Sequence, residues 1–371
     1  MNIGINVLYL IPSKVGGTET YARELIPALG KKLKEGDQII IFAGEETAKM
    51  FPKLLNIKVI SMPIKSSNRF LRILAEQFLL PFYCMHYHVD ILFSLGYSAP
   101  FFHSFKSIVT IHDLNWYYHP EDFNPINRLI WEYVTRLSAA TSNHVVTDSA
   151  FSANSIIKIL KISPKKVTPI LHGVPDKIHL SKQQAHKTLA KLKIKKPYIF
   201  TVVAGYPHKN LKTLLHVFAK LVLEFPALSL IVSGLSGKAD SVNSHLIKSL
   251  KLSRKVQIVG YVNRVDLAAI YQSAEIFVFP SAYEGFGYPP IEAMSYGVPV
   301  VSSNASSLPE VVGDGGFLVN TYNDKEYVRS IRAILDNALK RKTLITKGKK
   351  RISELSWLKT AKLMYNLCVE V

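Results

Sequence analysis

Residues 279–294 read Phe-Pro-Ser-Ala-Tyr-Glu-Gly-Phe-Gly-Tyr-Pro-Pro-Ile-Glu-Ala-Met, and they bring together the groups that an anionic, hydroxyl-rich ligand needs. Glu284 falls on a glycine-bearing loop. Two prolines then open a helix at positions where a missing N–H costs little. Glu292 falls on the first turns of that helix. The backbone at Gly285, Phe286 and Gly287 can present N–H donors to an anion, while the two carboxylates accept hydrogen bonds from hydroxyls. Together they suit a ligand that joins phosphate to polyhydroxylated rings.

Three further segments carry candidate groups. In Ala204-Gly205-Tyr206-Pro207-His208-Lys209-Asn210, Lys209 stands beside a glycine turn ahead of an apolar helix that starts near Leu211. A cation at a helix N-terminus suits phosphate oxygens, although an exposed Lys followed by Asn210 as a helix cap reads equally well. Gly16-Gly17 precedes a helix that begins near Thr20, so the backbone there can approach a ligand closely; a plain turn has the same signature. His112, in Ile111-His112-Asp113-Leu114, ends a strand, the position at which open α/β sheets bind ligands. Structural histidines are common at such positions too.

Other patterns fail. Gly234-Leu235-Ser236-Gly237-Lys238-Ala239 has its glycines three apart and Ala239 at the Ser/Thr position, so it is no P-loop. Gly285-Phe286-Gly287 lacks a third glycine at Pro290 and is no dinucleotide fingerprint. A metal site at His86-Tyr87-His88 is not expected. Cys84 and Cys368 form neither a disulfide framework nor a zinc module. No Asp-x-Asp occurs, which argues against an enzyme that carries a sugar nucleotide on a metal held by that motif. No metal site and no cofactor are expected.

These segments need a scaffold. Short apolar runs at 3–10, 38–43, 57–62, 91–93, 107–111 and 144–147 alternate with helix-like stretches, and a second set follows at 198–203, 228–232, 256–258, 276–279 and 298–302. Such alternation implies βαβ units and parallel sheets, one doubly wound layer in each half. A polar, Lys-dense stretch at 175–196 reads as the linker. Residues 357–367 read as a terminal helix.

The chain has 371 residues, enough for two domains, and a formal net charge of +19 from 46 basic and 27 acidic residues. Residues 1–180 hold 19 basic against 14 acidic residues and the remainder 27 against 13. Such a field attracts anions: nucleic acid, an acidic membrane or a phosphorylated small molecule. No nucleic-acid motif accompanies it, so a nucleic-acid partner is not expected. No uncharged run approaches the roughly 20 residues needed to span a bilayer. A cytoplasmic chain, able to touch the inner face of the cell membrane, is the expectation. A basic and apolar stretch (Arg69-Phe70-Leu71-Arg72-Ile73-Leu74, then Phe78-Leu79-Leu80-Pro81-Phe82) fits either a core helix or a surface on an anionic bilayer.

Over nearly its whole length the chain resembles the family 4 glycosyltransferases, retaining enzymes of the GT-B fold. The resemblance runs through Gly16-Gly17-Thr18-Glu19-Thr20-Tyr21, Ile111-His112-Asp113-Leu114, His208-Lys209-Asn210 and Gly260-Tyr261-Val262. It continues through the Glu284-x7-Glu292 block with its Pro-Ser and Gly-Phe-Gly flanks, and through Ser303-Asn304-Ala305-Ser306-Ser307-Leu308-Pro309-Glu310-Val311.

The resemblance implies two Rossmann-like domains facing across a cleft, the first at 1–180 with a helix at 356–371 crossing back to it, the second at 181–355. It implies a nucleoside-diphosphate sugar as donor, held mainly by the second domain. Lys209 would neutralise the diphosphate, Glu292 would bind ribose hydroxyls, and Glu284 with the Phe286 and Gly287 backbone would hold sugar and phosphate. Gly17 would let the first domain approach the diphosphate, His112 would reach the donor sugar, and the Val262 backbone would contact the base. Many relatives carry an Arg shortly before the Lys-Asn pair, directly adjacent or about five residues earlier; His208 and Ala204 occupy those positions here, so one diphosphate cation is missing or supplied elsewhere. The closest likeness is to bacterial mannosyltransferases that use GDP-mannose in surface-polysaccharide assembly. UDP-glucose, dTDP-rhamnose and UDP-N-acetylhexosamine are the other donors to weigh, and a glycan or lipid-linked glycan is the implied acceptor. An epimerase or phosphorylase of the same fold is the remaining alternative.

Overall fold

A computed structural model describes residues 1–12, 16–51, 55–235 and 238–371. It divides the chain into two units. The first holds Met1–Gly173 and Leu355–Val371, and the second holds Val174–Glu354.

The first unit has seven parallel strands: β1 (Asn2–Asn6), β2 (Gln38–Gly44), β3 (Ile57–Met62), β4 (Ile91–Ser94), β5 (Lys106–Thr110), β6 (His144–Thr147) and β7 (Val167–Pro169). They lie in the order β3-β2-β1-β4-β5-β6-β7. The helices are α1 (Gly17–Gly30), α2 (Arg69–Leu74), α3 (Leu80–His86), α4 (Asn115–Tyr118), α5 (Pro125–Thr141) and α6 (Ala150–Leu160). One wider π-type turn, Ala75–Leu79, joins α2 to α3.

The second unit has six parallel strands: β8 (Tyr198–Val202), β9 (Ser229–Ser233), β10 (Val256–Gly260), β11 (Ile276–Phe279), β12 (Val300–Ser303) and β13 (Gly316–Val319). Their order is β10-β9-β8-β11-β12-β13, so the direction of winding reverses between β8 and β11, as it does between β1 and β4 in the first unit. Its helices are α7 (Lys182–Lys191), α8 (Leu211–Glu224), α9 (Lys238–Ser249), α10 (Arg264–Ser273), α11 (Tyr288–Ser295), α12 (Leu308–Val312), α13 (Asp324–Leu335) and α14 (Ala338–Glu354). Both faces of this sheet are covered. Ile199 points into one apolar cluster with Leu214, Phe218 and Ile331, while Tyr198 and Phe200 point into the other with Ile270, Met294 and Leu308. That alternation follows from the two-residue period of a strand.

The terminal helix α15 (Trp357–Glu370) packs on α1 and belongs to the first unit. Its buried residues Trp357, Thr360, Ala361, Met364, Tyr365, Leu367 and Cys368 recur at helical spacing. Thr360 donates from Oγ1 to the Leu171 carbonyl at 2.7 Å, and Tyr365 donates to Asp37 Oδ2 at 2.5 Å. A Cβ on Gly173 would stand 2.2 Å from the Trp357 nitrogen, so only glycine lets the two segments meet there.

Three expectations change. The 175–196 stretch is not a linker throughout: α7 occupies Lys182–Lys191, with Ala185 and Leu189 buried and a full capping box at Ser181 and Gln184. The units divide at Gly173 and Glu354, rather than at 180 and 355. β7 and β13 were absent from the sequence-based set of strands. The decoy at 234–239 lies partly outside the described residues.

Candidate active site

In each unit the candidate residues follow the carboxyl ends of strands, where parallel sheets leave their helix N-termini and loops for ligands. In the second unit, the segment after β8 forms a single turn at Pro207–Lys209, and Asn210 then enters the left-handed region before α8. Asn210 does not cap the helix backbone. Its buried amide donates to the carbonyls of Pro280 and Thr321 at 3.1 and 3.0 Å, and its oxygen accepts from Thr213 at 2.8 Å. This anchors the Lys209 turn to the end of β11. The Ala282 N–H adds a bond of 2.8 Å to the His208 carbonyl.

Lys209 Nζ lies 2.7 Å from Glu284 Oε1, with 18% and 13% of their side chains exposed. The two residues expected to serve the same ligand are therefore in direct contact. The loop bearing Glu284 is held by Ser306 and Ser307: the Ser306 hydroxyl accepts from the Glu284 N–H at 2.8 Å, and Ser307 donates to the carbonyls of Glu284 and Phe286 at 3.0 and 2.9 Å. Phe286 is buried and sets its ring edge-on to Tyr288. Gly287 has φ +97°, and a Cβ there would lie 2.7 Å from Leu308 Cδ2. The loop can enter α11 only with glycine at this point. Pro289 and Pro290 follow in the first turn of α11, as anticipated.

Glu292 sits one helical turn further on, partly buried. Tyr271 donates to its Oε2 at 2.9 Å and stacks on Tyr296 at 5.6 Å. Burial raises the Glu292 carboxyl above its usual range, and the Tyr271 hydrogen bond and the Arg264 charge pull it back in part. Gly205 lies on an exposed bend after β8. Val262, after β10, is partly buried against the core.

In the first unit, Gly16 precedes α1 at φ +61° and Gly17 is its first residue, while Ser13, Lys14 and Val15 of that loop lie outside the described residues. His112 follows β5 and is 4% exposed. Its Nδ1 lies 2.9 and 3.0 Å from the two oxygens of Asp148, and its Nε2 lies 3.0 Å from the Leu95 carbonyl. Asp148 follows β6 and also takes His172 Nε2 at 3.0 Å. His172 is stacked between Tyr21 at 4.5 Å and Trp357 at 5.6 Å. Burial alone would lower the His112 imidazole, but the Asp148 charge overrides it and the group is raised; the same two histidines hold Asp148 well below the carboxylate range despite its burial. The ligand atoms of His112, Asp148 and His172 lie within 4.8 Å of one another, which makes this trio the set that could hold a metal among the described residues. Every short contact in it is also that of an N–H on an acceptor.

Asp148, His172, Tyr271 and Asn210 were not assigned these parts from the sequence. The signal for Asp148 was its place directly after a strand already recognised.

The 69–82 stretch is not a simple core helix. Ala75, Glu76, Leu80 and Cys84 are buried, whereas Phe70, Phe78 and Phe82 are 71%, 74% and 61% exposed. Arg69 lies over the Trp131 ring at 5.0 Å and donates to Asn127, so α2 stands beside α5, whose Ile126, Leu129 and Tyr133 are also exposed. No described helix is long and apolar enough to cross a membrane.

Comparison with known proteins agrees with this layout. Residues 15–177 match "Glycosyltransferase Family 4" and residues 183–351 match "Glycosyl transferases group 1". O-antigen chain mannosyltransferase B of Escherichia coli is 33% identical over 261 residues, 68% of this chain and 67% of that protein. O-antigen chain mannosyltransferase RfbU of Salmonella typhimurium is 29% identical over 226 residues, 61% of this chain and 60% of that protein. The structure of Anabaena Alr3699/HepE in complex with UDP-glucose covers all of this chain with a TM-score of 0.76 at 18% identity, and 99% of its own length is matched. With two reversing parallel sheets, the ordered motifs on their strand ends and a match across both units, the chain belongs to the family 4 glycosyltransferases and has their GT-B fold.

Proposed function

We propose that this glycosyltransferase moves a hexosyl group, mannose from GDP-mannose before other donors, from a nucleoside-diphosphate sugar to a glycan or lipid-linked glycan. The reading is carried by the Lys209–Glu284 pair on a loop braced by Ser306 and Ser307. A donor diphosphate would take Lys209 from Glu284, and Glu284 would then be released to accept sugar hydroxyls. Glu292, steadied by Tyr271, would receive the ribose hydroxyls, the Val262 backbone the base, and the backbone at Gly205, Gly285, Phe286 and Gly287 the phosphates. Gly16 and Gly17 in the first unit would approach the diphosphate. Mannose is favoured by the names of the two O-antigen relatives.

In this scheme the anomeric C–O bond to the diphosphate breaks while the acceptor oxygen bonds to the same face, and the acceptor proton passes to the leaving phosphate oxygen. The configuration is retained, with no protein base and no metal. Stabilising the departing charge is the main task, and Lys209 with the helix N-termini would supply it. The purified chain should release nucleoside diphosphate from one sugar nucleotide and transfer the sugar to a glycan acceptor. If no donor in a GDP-, UDP- and dTDP-sugar panel is cleaved or raises Tm, the proposal fails.

The exposed apolar face of α2, α3 and α5, with Arg128 and Lys65 exposed near it, would dock on an anionic bilayer where a lipid-linked acceptor resides. The chain should cosediment with vesicles containing anionic lipid at low salt. Phe78→Ser with Phe82→Ser should abolish this, and absence of binding by the unaltered chain would reject it.

A further inference from the structure

Asp148 has no part in the scheme above, yet its contacts decide what His112 can do. An imidazole nitrogen that faces an acceptor at hydrogen-bond distance must carry a proton, and a neutral ring has only one N–H. His112 faces an acceptor on both sides, the Asp148 carboxylate at Nδ1 and the Leu95 carbonyl at Nε2. A neutral ring would set a lone pair against an oxygen at one of these positions, between side chains that are only 6% and 5% exposed.

We propose that Asp148 is a positioning residue that holds His112 as a fixed, doubly protonated imidazolium at the carboxyl end of β5. The frame that holds Asp148 is built from His172 Nε2, from the Tyr21 and Trp357 rings on either side of His172, and from Ser149–Ser152 at the start of α6. Ser152 also donates to the His112 carbonyl at 3.1 Å, which fixes the backbone of the same residue. The other ionisable groups facing the pair are Asp113 beside His112, Tyr97 with its ring 5.2 Å from that of His112, Tyr9 in the loop after β1, Tyr21 on α1, and His172. Burial raises Tyr9 and Tyr21, so they stay neutral. His112 then serves neither as a base nor through a ring nitrogen on the sugar; it acts by its charge and its rigid outline.

The inference rests on the proposed transfer reaction only for its kinetic consequence. The test is ring 15N and 13C spectroscopy of His112 in the whole chain from pH 5.5 to 9, assigned with His112→Gln. Both ring nitrogens should be protonated at pH 7 in the unaltered chain, and Asp148→Asn should lower the titration by about one to three pH units. The alkaline limb of turnover should move down with it, donor KM should change little, and Asp148→Glu should restore part of the shift. A neutral His112 at pH 7, a titration unmoved by Asp148→Asn, or activity lost equally at every pH would overturn the proposal. So would a stoichiometric metal ion bound by the trio in the purified chain. If Asp148→Asn does not fold, the spectrum of the unaltered chain decides alone. Spectra as expected from a chain that transfers no sugar would refute the transfer reading and leave the Asp148–His112 assignment standing.

Discussion

In the first unit, Asp148 takes hydrogen bonds from two buried imidazoles, and His112 is held at both of its nitrogens. In the second unit, Lys209 and Glu284 meet through a direct ion pair between two loops, each side chain still partly open to water. Breaking the first cluster would strand a buried charge, which costs several kcal/mol. Exchanging the second for a ligand anion strands no charge at Lys209, because the anion takes the place of the Glu284 carboxylate. One cluster sets a charge in place and keeps it there. The other holds a cation in readiness and can give it up. The proposed transfer, in which a diphosphate leaving group is bound and released in each cycle, has use for both kinds.

The sharpest break of this contrast is at Lys209. Lys209→Ala should lower turnover by about 10²- to 10³-fold, as removal of one preorganised charge-stabilising donor does. Its effect on Tm should be slight. A variant with normal turnover would remove Lys209 from the leaving-group site. Glu292→Ala comes next: losing a hydrogen bond to a charged group, about 1.5–3 kcal/mol, should weaken binding of the nucleoside diphosphate itself by about tenfold to a hundredfold. Calorimetry with free nucleotide would detect it, and unchanged affinity would place the ribose elsewhere.

The smallest effect is on stability. His172→Gln should cost about 1–3 kcal/mol by leaving a buried acceptor short of a partner. The folded-state Asp148 carboxyl is depressed, so its contribution is present above the unfolded value of 3.8 and is lost as pH falls through the folded value. The raised His112 contributes below its unfolded value of 6.5 and ceases to do so as pH rises through its folded value. In His172→Gln the acid unfolding midpoint should therefore move to higher pH. A midpoint that stays fixed would show that His172 does not stabilise the carboxylate.

Much of this layout was legible in the amino-acid order. Buried parallel strands read as unbroken apolar runs, and β3, β6 and β11 end where those runs end. β7 and β13 escaped because each is a short edge strand, one closing on Pro169 and the other opening on Gly316, residues that strand patterns exclude. α7 escaped because only Ala185 and Leu189 face inward along a Lys-rich turn sequence. The second-unit site was readable because its loop, prolines and glutamates are contiguous. The first-unit cluster was not: His112 and Asp148 are 36 residues apart and come together only because β5 and β6 are neighbours in the sheet. The exposed phenylalanines of α2 and α3 lay in a stretch that the sequence left open between core helix and bilayer surface, since apolar side chains on both faces of a helix fit either.

The return of Leu355–Val371 to the first unit reverses the usual order of events on the ribosome. At about 5–20 residues per second, the 174–354 segment takes on the order of ten seconds or more to synthesise, and the partner of α1 emerges only afterwards. The second unit can close while the first still lacks the helix that covers α1 and the Trp357 ring that seats His172. Nascent chains of this protein therefore carry an unfinished apolar seam until Leu355–Val371 is made, and the imidazole cluster is completed after the Lys209 and Glu284 loops.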